Sequence, residues 1–230
     1  MTKILPIRLS IANAYLLIGE RPILIDTGWP DEEGAILSAL RSEGLSPQDL
    51  AMIFLTHGHS DHAGSAAEMR SISGAPIGLH ADDLDMVRRG RNRHLQPTGL
   101  LGWLFAPFAN GPFPSFEPDL FLEAGERLDE YGIAGKILHT PGHTPGSVSL
   151  LLDSGEVFAG DLLIGGYLGG YVFPGTPQPT FYADEINLVH DSIGRLLAAG
   201  AKLFYLGHGG PVTAAAIEKW LTRVRPASRR

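Results

Sequence analysis

The chain has 230 residues and no cysteine, which excludes disulfide bonds, thiolate metal sites and a cysteine nucleophile. Its formal charge of −7 is a poor match for a phosphate backbone, so we expect no nucleic-acid partner. No apolar stretch reaches the roughly 20 residues that a bilayer requires, and the N-terminus lacks a signal-peptide pattern. These observations predict a cytoplasmic protein without a membrane span.

In chain order, the apolar pattern predicts strands at 11–17 and 23–25, a helix at 31–41, a strand at 52–55, a helix at 63–71, a strand at 77–79 and a helix at 81–89. It then predicts strands at 136–138, 148–152 and 157–159, a helix at 184–199, a strand at 202–206 and a helix at 213–224. We therefore expect one α/β domain over residues 1–230, with helices outside β-sheets and a fraying basic tail after the last helix.

Residues 91–118 form a long connection with five prolines and no clear period. A connection of this length within a compact domain is usually functional. We expect either a lid over the active site or a contact between the two copies of a homodimer. If the segment is a lid, Trp103, Phe105 and Phe108 would contact an apolar part of a small-molecule substrate.

The strongest motif is a group of potential metal ligands that follows the strand at 52–55. His57, His59, Asp61 and His62 occupy four of six consecutive positions. Imidazole nitrogens and carboxylate oxygens suit zinc, iron or manganese. Four ligands are more than one catalytic metal needs if it keeps an open position for water, so the spacing indicates two metals.

Three more potential ligands stand at the ends of later apolar runs. They are His143 in Thr-Pro-Gly-His-Thr-Pro-Gly, Asp161 in Ala-Gly-Asp, and His208 in Leu-Gly-His-Gly-Gly. Each is flanked by Gly or Pro, as expected for a residue at the edge of a sheet. The remaining histidines, which are His80, His94, His139 and His190, are assigned no metal.

Together these motifs resemble the metallo-β-lactamase superfamily. The His-x-His-x-Asp-His loop is followed by the later His, Asp and His in the family's order, and Leu24-Ile-Asp-Thr-Gly28 resembles the family's first motif. The resemblance covers residues 24–210. It implies an αββα sandwich, in which helices flank two mixed β-sheets and a dinuclear metal site lies at one edge.

The resemblance also implies which residue holds which metal. The first metal would be held by His57, His59 and His143, the second by Asp61, His62 and His208, with Asp161 bridging both. Asp26 would orient the ligand loop without touching a metal, a role that metal sites commonly need.

The resemblance also implies a hydrolase that uses two divalent ions. Zinc is the expected metal, and iron and manganese are the alternatives. Such ions bridge a hydroxide that attacks the carbonyl of a small ester-type substrate, a thioester or a lactone. Asp61 and Asp161 would be catalytic, and Asp61 would also transfer a proton after the attack.

Departures from single branches of the family narrow this expectation. His59 stands where flavodiiron proteins have Glu, and the absence of cysteine excludes the β-lactamases with a Cys ligand. The chain after His208 is short where glyoxalase II has a glutathione-binding extension. The glyoxalase II-like and lactonase-like branch remains. Its lactonases carry a tyrosine soon after the bridging Asp, to which Tyr167 or Tyr171 would correspond at a different offset.

Other functions stay open at this point. A mononuclear-iron persulfide dioxygenase would use the same scaffold with a His-His-Asp subset of the ligands. A metal-dependent phosphodiesterase or β-lactam hydrolase would use both metals on another bond. A non-catalytic binding module would keep the fold, although the complete set of ligands argues against it.

Overall fold

Two mixed β-sheets pack face to face in the computed structural model, which describes residues 2–168 and 170–224. The first sheet comprises β1 (Lys3–Arg8), β2 (Asn13–Ile18), β3 (Ile23–Ile25), β4 (Met52–Phe54), β5 (Ile77–Leu79) and β6 (Leu120–Phe121), in that order. β1, β2 and β3 pair in antiparallel fashion, whereas β3, β4, β5 and β6 run parallel.

The second half of the chain forms the other sheet and a separate hairpin. Its strands are β7 (Gly135–His139), β8 (Val148–Leu152), β9 (Glu156–Phe158), β10 (Leu163–Tyr167), β11 (Val172–Pro179), β12 (Leu203–Tyr205) and β13 (Val212–Thr213). The sheet has the order β13-β12-β9-β8-β7, and within it β9 and β12 are parallel. β10 and β11 pair only with each other, in antiparallel fashion.

The described part of the chain contains seven α-helices, some of which cover the outer faces of the sheets. They are α1 (Glu33–Ser42), α2 (Ser60–Ala63), α3 (Ala66–Ser73), α4 (Leu84–Arg89), α5 (Leu100–Phe105), α6 (Ile186–Ala198) and α7 (Ala214–Val224). In α6, Val189, Ile193 and Leu196 are buried at the three- and four-residue spacing of one helical face. None of the helices in the described part of the chain combines the length and hydropathy that crossing a bilayer requires.

The alternation of side chains along the strands creates three apolar layers. Leu17 and Phe54 point between the sheets and pack with residues of the second sheet. Their neighbours Leu16 and Ile53 point the other way, into the layer beneath α1 and α3. Leu151 packs on the far side of the second sheet, beneath α6 and α7. The predicted αββα sandwich with two mixed sheets is therefore confirmed.

Local differences from the predicted elements have physical causes. The helix predicted at 63–71 is interrupted at Gly64, whose main-chain nitrogen donates to the main-chain oxygen of Gly28 at 2.9 Å, so the structure has α2 and α3. The Gly-rich stretch at 165–175, for which no strand is predicted, belongs to the β10–β11 hairpin. The sequence also does not predict β1, β6, β13 and α5. The basic tail, Arg225, Arg229 and Arg230, lies outside the described residues.

The insertion predicted at about 91–118 is anchored at both ends and exposed in its middle. Leu95, Phe113 and Phe116 are buried, whereas Trp103 and Phe108 are 68% and 79% exposed. The apolar side chains near its ends thus pack into the protein, while those in and around α5 face solvent. The assignment of residues 1–230 to one domain stays a prediction.

The packing between the sheets makes Phe54 a sensitive position. Phe54 is fully buried in that layer, so replacement by Ala leaves a cavity that neighbouring side chains cannot fill. We expect Phe54→Ala to lower the free energy of unfolding by about 3–5 kcal/mol in urea denaturation of the metal-free protein. Phe121→Ala, at a half-exposed position on β6, serves as control, and an equal loss in both variants would contradict this packing.

Candidate metal centre

All seven predicted ligands lie at one edge of the sandwich. Because β4 is parallel to β3, and β9 to β12, the carboxyl ends of these strands meet at the same edge. The loop after β4 carries His57 and His59, and α2 carries Asp61 and His62. The other three ligands follow the second sheet's strands β7, β9 and β12, and are His143, Asp161 and His208.

Three imidazoles form the first group of donors. The Nε2 atom of His143 lies 3.2 Å from Nε2 of His57 and 2.9 Å from Nδ1 of His59. All three residues are buried. Three ring nitrogens that converge at these distances are poor partners for each other and are the arrangement that a divalent cation accepts.

Two carboxylates and two imidazoles form the second group. His208 Nε2 lies 3.3 Å from a carboxylate oxygen of Asp61 and 3.2 Å from one of Asp161. His62 Nε2 lies 3.4 Å from the other oxygen of Asp161. Asp161 also approaches the first group, at 3.7 Å from His143 Nε2. Its carboxylate therefore reaches both groups, as a bridging ligand would.

In two of the histidines, the ring nitrogen that points away from the donor group is hydrogen-bonded to a main-chain oxygen. Nδ1 of His143 bonds the main-chain oxygen of Tyr182 at 2.8 Å, and Nδ1 of His208 bonds that of Ile11 at 2.8 Å. A carbonyl oxygen accepts only, so each Nδ1 carries the proton and the Nε2 lone pair of the neutral ring is free for a metal.

Asp26 is the shared support of two further histidines. Its buried carboxylate accepts from Nδ1 of His62 at 2.9 Å and from the hydroxyl of Thr56 at 2.8 Å. The Thr56 oxygen in turn lies 3.0 Å from Nδ1 of His57. Asp26 thus contacts His62 of the second group directly and reaches His57 of the first group through Thr56.

The donor set fits a cation because it leaves polar atoms without partners. Nε2 of His62 and one oxygen of Asp161 are buried and accept or donate no hydrogen bond. Such unpaired buried atoms are costly unless something else satisfies them. Gly207 allows this close approach, since a Cβ at that position would lie 2.0 Å from the Asp161 oxygen. Nitrogen and oxygen donors of this kind suit divalent zinc, iron or manganese.

Without a metal, the pKa values of histidines shift in opposite directions in the two groups. Burial and the neighbouring imidazole of His143 lower the pKa of His59 to about 3, so the imidazole of His59 is neutral. Burial alone would also lower the pKa of His208, but Asp161 and Asp61 raise it to about 10. Burial opposes ionisation of Asp61, yet His62 and His208 lower its pKa to about 2. A metal in the second group would therefore replace protons.

Asp83 joins the two ligand loops, and the sequence did not single it out. Its buried carboxylate accepts from the main-chain nitrogen of Gly58 at 2.9 Å, from that of Gly146 at 3.0 Å and from the Thr144 hydroxyl at 2.7 Å. Arg93, from the insertion, lies 3.4 Å from the same carboxylate. Nothing in the sequence marks this contact because its partners are far apart along the chain.

A cavity of about 580 Å³ opens over both groups of donors. His59, Asp61 and Asp161 form part of its lining, and much of the remainder is apolar. Among the predicted substrate-contact residues, Phe105, Phe108 and Tyr171 line it.

Trp103 and Tyr167, which are 68% and 50% exposed, are not part of this lining. The insertion thus reaches the cavity through only part of its aromatic set.

Tyr182 is a further cavity residue that the sequence did not indicate. Its hydroxyl is buried without a hydrogen-bond partner, and its side chain lines the cavity. Burial and the nearby carboxylate of Asp61 raise the pKa of this hydroxyl, which therefore keeps its proton. The main chain of Tyr182 is paired with Pro97 of the insertion in an isolated antiparallel β-bridge. No local sequence signal reveals this contact.

The histidines that received no metal assignment lie apart from both groups. His80 and His139 stack with ring centroids 4.2 Å apart and an angle of 9° between the rings, beside Asp82. Nearly parallel stacked rings do not direct both lone pairs at one ion. His190 packs edge-on against Trp220, and His94 is exposed.

Comparison with known proteins agrees with this architecture. A family model described as the metallo-β-lactamase superfamily matches residues 7–208. The chain belongs to the metallo-β-lactamase superfamily. The expectation of a metallo-hydrolase from this superfamily is thereby confirmed.

Relatives in the superfamily cover most of the chain. The probable metallo-hydrolase YflN of Bacillus subtilis (strain 168) is 28% identical over 226 residues, 89% of this chain and 83% of its own. YqgX of the same organism, also named a probable metallo-hydrolase, is 31% identical over 201 residues, 86% of this chain and 85% of its own. Both are similar to this chain over nearly its whole length.

Solved structures of the superfamily match as well. The crystal structure of TTHA1623 in a di-iron-bound form has a TM-score of 0.67 at 30% identity, covering 94% of this chain and 97% of that one. The BLEG-1 B3 metallo-β-lactamase has a TM-score of 0.71 over 96% of this chain and 100% of its own. At 24% identity the second comparison supports the fold alone.

The two groups of donors predict how many metals each variant retains. We expect the wild type to bind two zinc ions per chain, and His143→Ala and His208→Ala to retain one each, since each substitution removes a donor from one group. Equilibrium dialysis followed by elemental analysis measures this. The exposed His94→Ala is the matched control and should keep both ions. A single ion in the wild type would contradict the dinuclear site.

Proposed function

We propose that this protein hydrolyses an uncharged, partly apolar ester, lactone or thioester with the help of two divalent ions, zinc in the first place. The observation that carries the proposal is an apolar cavity that opens directly over two groups of metal donors. When bound, the ions would lower the pKa of a water molecule and polarise a carbonyl oxygen. TTHA1623, a similar chain, is known in a di-iron-bound form, so iron is the alternative metal.

The charge of the cavity supports an uncharged substrate. Among the described residues that line it, none is Lys or Arg, and Asp61 and Asp161 are the acidic ones. A substrate with a carboxylate or several phosphates, such as a glutathione or coenzyme A thioester, would find no cationic side chain there. This argues for lactones and simple esters or thioesters over glutathione conjugates and phosphodiesters.

The walls of the cavity support an apolar acyl part. Trp29, Leu95, Leu101, Phe105 and Ile164 belong to the lining. Burying an apolar chain against such walls is favourable by about 25 cal/mol for each Å² removed from water. The reacting carbonyl would lie at the donors, with its acyl chain directed toward the insertion.

Two residues of this chain would act on protons and on the carbonyl. Asp61 lines the cavity beside His208, and its carboxylate would accept the proton that the attacking water releases. The Tyr182 hydroxyl, which has no partner of its own, would donate a hydrogen bond to the carbonyl oxygen as negative charge develops there.

A substrate panel tests the proposal. We expect zinc-loaded protein to hydrolyse uncharged acyl lactones and esters, with kcat/KM rising with chain length, and to turn over matched carboxylated esters at least about tenfold more slowly. Asp161→Ala should abolish the activity, and His94→Ala should keep it. Activity that survives Asp161→Ala, or a preference for the charged esters, would show that the proposal is wrong. Oxygen consumption on a persulfide would indicate the dioxygenase instead.

A conservative variant tests the part assigned to Tyr182. We expect Tyr182→Phe to reduce kcat/KM by about ten- to a hundredfold, because one hydrogen bond to the carbonyl oxygen is lost. Metal content should stay unchanged, since the contact to His143 is made by the main-chain oxygen of Tyr182. Tyr167→Phe, at a 50% exposed residue outside the cavity lining, is the control. Equal rates in wild type and Tyr182→Phe would contradict this role.

A further inference from the structure

Apolar and aromatic side chains form most of the mouth of the cavity, where Ser10 is also exposed. Six residues line the cavity and are also exposed over half of their surface or more, and we call them the rim: Ile11, Leu101, Phe105, Phe108, Leu168 and Tyr171. A side chain that is both a cavity wall and half exposed must stand at the opening. The rim comes from three separate segments of the chain.

The same segments carry further exposed apolar residues that do not line the cavity. On α5, Leu100 and Trp103 are 72% and 68% exposed, and on β11 Phe173 is 71% exposed. They are sequence neighbours of rim residues and extend the apolar surface outward from the mouth. Apolar surface of this extent on a soluble domain usually marks an interaction site.

Two of the three segments that carry the rim contain no charged residue. Residues 95–116 and 162–183 contain no Asp, Glu, Lys, Arg or His, although the whole chain has a formal charge of −7. These two segments therefore present no ionised side chain that would have to lose its hydration when covered. Arg8, from β1, lies with its guanidinium 4.2 Å above the ring of Tyr171.

We propose that the rim and its neighbours dock on a lipid surface of zero net charge, such as a phosphatidylcholine layer. A protein partner seated on the rim would close the cavity that it surrounds, whereas a fluid lipid layer leaves the mouth open to acyl chains. Trp, Tyr, Phe and Leu are the side chains that settle at a membrane interface. An acidic protein gains nothing from anionic lipids, and Arg8 would meet a headgroup phosphate.

Docking in this position has a consequence for the substrate. An apolar ester dissolved in the lipid would enter the cavity from the lipid side without crossing water. This consequence rests on the proposed function, whereas the docking itself does not, because vesicle binding is measured without turnover. The two can therefore fail separately.

Flotation of the metal-loaded, full-length protein with phosphatidylcholine vesicles tests the docking. We expect wild type to float with the vesicles, and the double variant Leu100→Ser/Trp103→Ser to lose at least about tenfold in partition coefficient. These residues do not line the cavity, so hydrolysis of a short soluble ester should stay at the wild-type rate. Phe173→Ser, in the other segment, should also weaken binding.

The matched control removes exposed apolar residues elsewhere. Leu120→Ser/Phe121→Ser changes β6, where the two residues are 39% and 50% exposed, and should bind vesicles as wild type does. Added phosphatidylserine should not strengthen binding, and added salt should not weaken it. The proposal is overturned if wild type stays unbound, if binding requires anionic lipid, or if the control loses as much as the α5 variant. A dimer in solution that Leu100→Ser/Trp103→Ser dissociates would also overturn it, by showing that a second copy covers the rim.

Discussion

The buried carboxylate of Asp26 is the contact on which the arrangement of the candidate metal centre depends. It follows β3, and it accepts hydrogen bonds from the main chain and hydroxyl of Thr56, at the start of the ligand loop, and from His62 in α2. One charge thus connects a strand end, a loop and a helix, and through Thr56 it also reaches His57. Because a histidine is a useful ligand only when its ring is held in one tautomer and one orientation, supports of this kind commonly change metal affinity by about 10–100-fold.

The insertion is tied to the metal centre by several contacts. Asn92 accepts from the main-chain nitrogen of Ser60 at 2.8 Å, at the start of α2, and Arg93 lies beside Asp83, which holds both ligand loops. Farther on, Pro97 pairs with Tyr182, whose carbonyl holds His143. The segment that forms a wall of the cavity therefore shares hydrogen-bond partners with the ligands beneath it. Asn92 and Arg93 thus couple the cavity wall to the metal centre.

The lack of charge around the site links its chemistry to its surroundings. The cavity has acidic and imidazole groups at the donors and apolar walls, and the exposed residues at its mouth are apolar too. In such a low-dielectric space the attraction between ions and carboxylates is stronger than in water. A charged substrate would lose its hydration against these walls without gaining an oppositely charged Lys or Arg side chain. The same largely apolar set of residues around the cavity thus favours a metal site, an uncharged substrate and docking on an apolar surface.

The sequence by itself determined the fold class and the seven donors, because the strand-end spacing of His57, Asp161 and His208 is local and the family's motifs occur in order along the chain. It also determined most strands and helices, since their apolar periodicity is strong. Only the tertiary structure decided which aromatic residues reach the cavity, that 165–175 pairs as a hairpin, and that Asp83 and Tyr182 belong to the site. These features depend on contacts between segments far apart in sequence, and a burial pattern along one chain does not encode which distant segment will pair with it.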